Sequence, residues 1–115
     1  MQMQDLIKKL RKFANERDWE KFHSPKNLAM ALSVEVAEIV EHFQWLTQDQ
    51  SCNLDARTRE KLKDEIGDVL IYLTRLADQL GISPLEAAES KLKKNAAKYP
   101  IDKAKGNARK YSEFD

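Results

Sequence analysis

The sequence predicts an all-α protein, a bundle of four helices, and three observations point there. Apolar residues recur at helical spacing in four successive segments. Glycine is scarce, 3 in 115 residues, so the chain lacks the turn chemistry of a β protein. Ser-Pro pairs at 24–25 and 83–84 and a glycine at 81 stand where helices should start and stop.

The first helix spans roughly Gln4 to Arg17, with Leu6, Ile7, Leu10, Phe13 and Ala14 on its apolar stripe. A connection from Asp18 to His23 carries two aromatics, Trp19 and Phe22. The second helix opens at Ser24-Pro25, an N-cap followed by a proline whose missing N–H costs nothing there. It continues to about Leu46. Its apolar positions, among them Leu28, Leu32, Val34, Val36, Ile39, Val40 and Phe43, cover more than one face, the pattern of a central helix. Thr47 to Asn53 is polar and reads as a loop. The third helix runs from about Asp55 to Leu80, and Gly81 ends it. Ser83-Pro84-Leu85-Glu86 reads as a capping box opening a fourth helix that extends to about Tyr99, ahead of Pro100. The tail from Ile101 to Asp115 is basic, then acidic, without a long apolar pattern. Residues 1–115 read as one domain.

Composition narrows the function classes. The chain is 42% apolar and 34% charged, with a net charge of only +1. That balance conceals segregation: Lys91 to Lys110 holds eight Lys/Arg and one acid, whereas no Lys or Arg occurs between Ala29 and Ala56. The single cysteine, Cys52, permits no intrachain disulfide and suits a reducing compartment. Met1 to Leu10 has no signal-peptide-like apolar core. The longest apolar run, Val69 to Leu73, falls far short of the roughly 20 residues of a membrane span. A cytoplasmic protein without a membrane partner is expected.

The chemistry is carried by acids in apolar surroundings. Glu35, Glu38 and Glu41 recur every three residues among Val34, Val36, Ala37, Ile39 and Val40. On the third helix Glu65 and Asp68 have the same spacing, within Ile66, Val69, Leu70 and Ile71. One such stripe is ordinarily a solvated face. Two of them on helices that must pack together bring four carboxylates into one place without an internal cation, and carboxylates are rarely buried unless paired or metal-bound. A hard divalent cation held by oxygen ligands is the simplest remedy. Di-iron bundles use Glu-x-x-His; here His42 stands four residues after Glu38, not three. All-oxygen ligation favours Mg²⁺, with Mn²⁺ as the substitute, and Mg²⁺ implies a phosphate substrate.

Glu35-Val-Ala-Glu38, a 26-residue spacer and Glu65-Ile-Gly-Asp68 together resemble the signature of the MazG-like, all-α nucleoside triphosphate pyrophosphohydrolases. Around it, Trp19-Glu-Lys-Phe-His23-Ser-Pro-Lys-Asn27-Leu, Phe43-Gln-Trp45, Asp68-Val-Leu-Ile-Tyr72-Leu and Lys91-Leu-Lys-Lys-Asn95 through Lys98-Tyr99-Pro100 are similar to the dCTP pyrophosphatase branch. The resemblance covers roughly Glu16 to Tyr111. It implies that Glu35, Glu38, Glu65 and Asp68 bind Mg²⁺, that Glu38 activates the attacking water, and that Trp19, His23, Trp45 and Tyr72 contact the nucleotide. Lys91 and Asn95 match positions that reach the phosphates and the sugar or base. It further implies cleavage of a dNTP, dCTP or a modified dCTP, to dNMP and pyrophosphate in a homodimer or homotetramer.

Trp45 and Tyr72 have an ordinary alternative as core packing, His23 as a chain-end partner of its N-cap, and Lys91 as part of a solvated face. One departure concerns the base. Where the dCTP-preferring relatives place a polar contact on the first helix, this chain has Leu10, within Leu10-Arg11-Lys12. The rival readings are the same chemistry on dUTP or dTTP, and a non-catalytic helical module binding nucleic acid through Lys91 to Lys110. The near-neutral net charge and the four-acid pattern weigh against the second.

Overall fold

A computed structural model of the chain describes residues 1–114. Among these are six α-helices: α1 (Met3–Glu16), α2 (Pro25–Phe43), α3 (Gln48–Ser51), α4 (Ala56–Gln79), α5 (Pro84–Lys98) and α6 (Ile101–Ala104). Two 3-10 turns, Glu20–Phe22 and Tyr111–Glu113, complete the list, and no strand occurs among the described residues. The all-helical expectation is met. The chain forms two compact units, Met1–Gly81 and Ile82–Asp115.

In the first unit α2 packs along α4, and α1 packs on α4 as well. Local chemistry sets the ends. The Asn27 amide donates to Ser24 Oγ at 3.2 Å, and the Asn27 side chain donates to the Phe22 carbonyl at 3.1 Å, tying α2 to the connection before it. The Thr58 amide donates to Asp55 at 2.7 Å, capping α4. At its other end Gly81 takes φ +68°, a backbone state glycine adopts without penalty, and its amide donates to the Asp78 carbonyl at 3.1 Å.

The end of α1 uses the same device without glycine. Asp18 sits at φ +53°, its amide donates to Asn15, and the Trp19 amide donates to Ala14 at 2.9 Å. This is the paired hydrogen-bond pattern of a Schellman motif, with aspartate in the left-handed position. It turns the chain sharply, and the Trp19 ring meets Phe13 edge-on at 5.7 Å.

Three expectations are corrected. Thr47 to Asn53 is not plain loop: it contains α3, whose start is a true capping box. The Gln50 amide donates to Thr47 Oγ1 at 3.2 Å and the Thr47 amide to Gln50 Oε1 at 2.9 Å. Accordingly α2 ends at Phe43 rather than near Leu46. Third, α2 is not enclosed within a single chain. Leu28 is buried at 1% exposure, yet Val34, Val36 and Val40 are each more than two-fifths exposed, because α4 covers only part of the helix. The fully buried apolar core is small: Ile7 and Ala14 from α1, Leu28 from α2, Leu62 from α4.

In the second unit the Glu86 amide donates to Ser83 Oγ at 3.3 Å, the N-cap half of the expected box. The tail has more structure than its composition suggests. Tyr99 packs edge-on against Tyr111 at 6.2 Å and against Phe114 at 5.7 Å, closing α6 and the last turn around the end of α5. Lys98 and Arg109 lie over the Tyr111 and Phe114 rings.

With so few buried apolar side chains, each one counts. Leu28→Ala should cost about 3 kcal/mol of unfolding free energy, the ordinary cost of such a core truncation, measured by urea titration.

Candidate functional site

The helix caps fix where α2 and α4 begin, and their packing then brings two acid pairs together. Glu35 and Glu38 lie one turn apart on α2, Glu65 and Asp68 one turn apart on α4. Glu35 is the most constrained. Its Oε2 is buried without a hydrogen-bond partner. Its pKa is raised, first by burial, then by a side-chain hydrogen bond with Glu38, then by the negative charges of Glu38, Asp68 and Glu65. The charges of Glu38, Asp68 and Glu65 are thus all felt at Glu35. Glu41, the third acid of the α2 stripe, is exposed and stands apart from this cluster, lining an open cleft with His42, Asp49, Asn53 and Asp55.

Glu65 also has a neighbour that spacing alone did not reveal. His42 Nε2 lies 2.8 Å from Glu65 Oε2, an ion-pair distance. That oxygen nevertheless has no partner in hydrogen-bond geometry, so the contact is one of proximity rather than an aligned N–H···O bond. Two carboxylate oxygens, Glu35 Oε2 and Glu65 Oε2, are thus buried with unsatisfied acceptor capacity. Among the described residues no group of three or more His, Cys, Asp or Glu is drawn together closely enough to hold a metal ion as it stands.

Beside the acids is a pocket of about 230 Å³. Leu10, Phe13 and Ala14 of α1, Trp19, His23, and Asp68, Ile71, Tyr72 and Arg75 of α4 line it. Of the predicted nucleotide contacts, Trp19, His23 and Tyr72 are brought together, with Asp68 linking them to the acid cluster. The Trp19 and His23 rings approach edge to face at 6.4 Å. Trp45 is placed otherwise: it follows α2 at 86% exposure and does not line this pocket. Lys91, exposed, and Asn95, half-buried, lie on α5 in the second unit.

Sequence reasoning missed the charged residues behind the pocket. Arg75 is buried at 5% exposure, and its Nε and Nη2 both donate to His23 Nδ1 at 3.3 Å. Its Nη1 lies 3.7 Å from Asp78 Oδ2. Asp78 in turn accepts from Arg11 of α1, Nη2 at 2.6 Å and Nε at 2.8 Å, a bidentate pair. A signal existed. Arg75 follows Asp68 by seven residues, hence on the same helical face, in a stretch that is otherwise apolar (Leu73, Leu76, Ala77). His42 was noted only as failing the di-iron spacing.

Residues 30–114 match the family model described as MazG-like. The chain belongs to the MazG-like family. It is similar to dCTP pyrophosphatase 1 of Homo sapiens, 41% identical over 97% of this chain and 67% of that protein. The Mus musculus counterpart is 39% identical over the same shares. Among solved structures, a pyrophosphatase from Archaeoglobus fulgidus is 45% identical and superposes with a TM-score of 0.81, covering 85% of this chain and 92% of that one. These likenesses make the MazG-like chain an enzyme of the diphosphatase class. No helix among the described residues is long and apolar enough to cross a membrane.

Two pH-linked outcomes follow from the geometry. The Arg11 hydrogen bond holds the Asp78 carboxyl below its ordinary value despite partial burial, so the folded-state pKa lies under the unfolded one. The stabilisation is present above about pH 4 and is lost as pH falls through the folded value. Asp78→Asn should therefore lower Tm at pH 7 and flatten the acid limb of a Tm-against-pH curve. Glu35 has the opposite sign. Its raised pKa means that its charged form opposes folding at neutral pH, and that the penalty fades as pH falls through the raised value. In chelator-treated protein Glu35→Gln should raise Tm at pH 7, and the gain should shrink in mildly acidic buffer.

Proposed function

We propose that the protein is a Mg²⁺-dependent nucleoside triphosphate pyrophosphohydrolase that cleaves dCTP, or a modified dCTP, to dNMP and pyrophosphate. The observation that carries this reading is the junction at Asp68. One residue both contributes to the negative charge felt at Glu35 and lines an aromatic-rich pocket of about 230 Å³.

The donors are of the kind a hard divalent cation takes, although the described residues do not gather three of them closely enough to hold one as they stand. Glu35 Oε2 is buried without a hydrogen-bond partner, and Glu65 Oε2, 2.8 Å from His42 Nε2, lacks an aligned one. Glu35, Glu38, Glu65 and Asp68 would hold it, with Mn²⁺ able to replace it. When bound, such an ion neutralises negative charge on phosphate oxygens and lowers the electrostatic cost of building more of it. The protein's own groups do the rest. Glu38 orients the attacking water and accepts its proton, an assignment that rests on the family pattern. Trp19 and Tyr72 offer ring faces to a base, worth about 1–3 kcal/mol per stacked base. His23 supplies a polar contact from the pocket wall. Lys91 and Asn95 are carried as phosphate and sugar or base contacts on the family pattern alone, and Trp45 on the same footing as a nucleotide contact.

The assembly proposed is a homodimer or homotetramer of single-domain, four-helix chains acting in the cytoplasm. Val34, Val36, Val40, Ile66, Leu70 and Leu73 of α2 and α4 are exposed in the single chain, and an apolar surface of that kind favours burial against another copy. A second base reading has a specific observation behind it. Leu10 lines the pocket, so α1 offers the base an apolar contact, which also suits the ring edge of dUTP or the methyl of dTTP.

The test is release of pyrophosphate and nucleoside monophosphate from a panel of dNTPs and NTPs, with and without Mg²⁺. Metal-dependent release is expected, with a deoxypyrimidine triphosphate as the best substrate. Glu38→Gln and Asp68→Asn should each lower turnover by at least about 100-fold while helical circular dichroism is retained. Near-normal turnover by either variant would overturn the site assignment.

A further inference from the structure

We propose that Arg75 is a positioning residue that fixes His23 as the neutral tautomer with its proton on Nε2, so that this ring offers the pocket a hydrogen-bond donor. The usefulness of that donor rests on the nucleotide reading above; the tautomer itself does not.

A guanidinium carries donors and no acceptor, and it stays charged at any pH the fold survives. Arg75 directs two donors, Nε and Nη2, at His23 Nδ1, both at 3.3 Å. Nδ1 can take part only by accepting through its lone pair, so the one proton of the neutral ring must sit on Nε2. A proton on Nδ1 would face two N–H groups and a full positive charge. The ring is thereby restricted to a single tautomer, and its remaining polar atom is a donor.

Arg75 lines the pocket with a side chain only 6% exposed, and its Nε and Nη2 are both turned to His23 Nδ1. Its position is in turn set by Asp78, which lies 3.7 Å from Nη1 and is clamped by Arg11 at 2.6 and 2.8 Å. The chain Arg11–Asp78–Arg75–His23 thus runs from α1 through α4 to the residue that precedes the α2 cap. Every link is long range in sequence except the Arg75–Asp78 step. If Arg75 merely joined α1 to α4 through Asp78, nothing would require its two donors to converge on one ring nitrogen.

The other groups around His23 agree. Burial and Arg75 lower its pKa, while Glu20, in the adjoining 3-10 turn, pulls the other way. From α4, Asp68 and Tyr72 line the same pocket, and the Trp19 edge lies at 6.4 Å. The neutral ring is favoured at physiological pH. The donor it presents would meet an acceptor on the nucleotide, a carbonyl oxygen or an unprotonated ring nitrogen, rather than an exocyclic amine.

Long-range ¹H–¹⁵N correlation spectra of the full chain, ¹⁵N-labelled at histidine and without nucleotide, read the tautomer directly. Wild type should show His23 protonated at Nε2 alone above its titration midpoint, and Arg75→Lys, which keeps a charged donor, should preserve that pattern. Arg75→Met should give mixed tautomers, a higher His23 midpoint, and a KM for the best nucleotide raised about tenfold with kcat little changed, the loss of one oriented hydrogen bond. A wild-type spectrum with the proton on Nδ1 overturns the proposal, and needs no variant to fold. So does Arg75→Met with tautomer and midpoint unchanged; altered tautomer with unchanged KM would overturn the donor's role in binding. Absence of turnover by wild type on every nucleotide would instead defeat the nucleotide reading, leaving the tautomer result to stand on its own.

Discussion

Drawing carboxylates together at a helix interface costs free energy, and the first unit does so with Glu35, Glu38 and Glu65 half-buried and Asp68 exposed. Glu35, Glu38, Glu65 and Asp68 could have been spread over solvated faces of two amphipathic helices. Instead α2 and α4 pack with these acids in one electrostatic cluster, and the stretch from Ala29 to Ala56 supplies no lysine or arginine to balance them. In water four such charges would be screened; at a half-buried helix interface the effective dielectric constant is lower and the repulsion larger. A protein keeps such an arrangement when the charge is used. The unpartnered oxygens of Glu35 and Glu65 are the local mark of that cost.

The pocket solves a different problem with the opposite chemistry. Its walls are largely aromatic and aliphatic, contributed by α1, the turn after it and α4, with Asp68, His23 and Arg75 as the polar groups among them. Arg75 is buried, but it lies 3.7 Å from Asp78, a carboxylate that also pairs with Arg11, so the buried guanidinium is not isolated. The result is a polarised site: the acid cluster with His42 beside it on the α2 side of Asp68, and an aromatic, hydrogen-bonded wall on the other. A molecule that is flat and largely apolar at one end and highly anionic at the other, needing cations between itself and the protein, matches that division. A nucleoside triphosphate has this shape of charge.

The stability of the single chain is modest by comparison. Four buried apolar side chains form the described core, and long stretches of α2 and α4 remain exposed. The Tyr99, Tyr111 and Phe114 cluster gives the second unit a hydrophobic centre of its own. Helix caps carry more of the local definition than usual: Ser24, Thr47, Asp55 and Ser83 each satisfy an otherwise orphaned amide at a helix start.

Much of this was legible in the residues alone. Periodicity, Ser-Pro starts and Gly81 located the long helices to within a few positions, because caps and apolar spacing act locally and their signals lie in adjacent residues. The acid pairs were equally legible, since carboxylates three apart within apolar stretches conflict with ordinary helix patterning. Thr47-x-x-Gln50 was present in the sequence but too short to outweigh the polar composition around it, and Asp18 in a left-handed position departs from the glycine rule. The contacts between residues distant in sequence were not legible. His42 beside Glu65, Arg75 on His23, and Arg11 clamping Asp78 depend on how far each helix is rotated about its axis when it packs. Spacing determines which residues share a face; the rotation that decides which faces meet is set by the summed packing of every side chain along α1, α2 and α4, and that sum exists only in the folded chain.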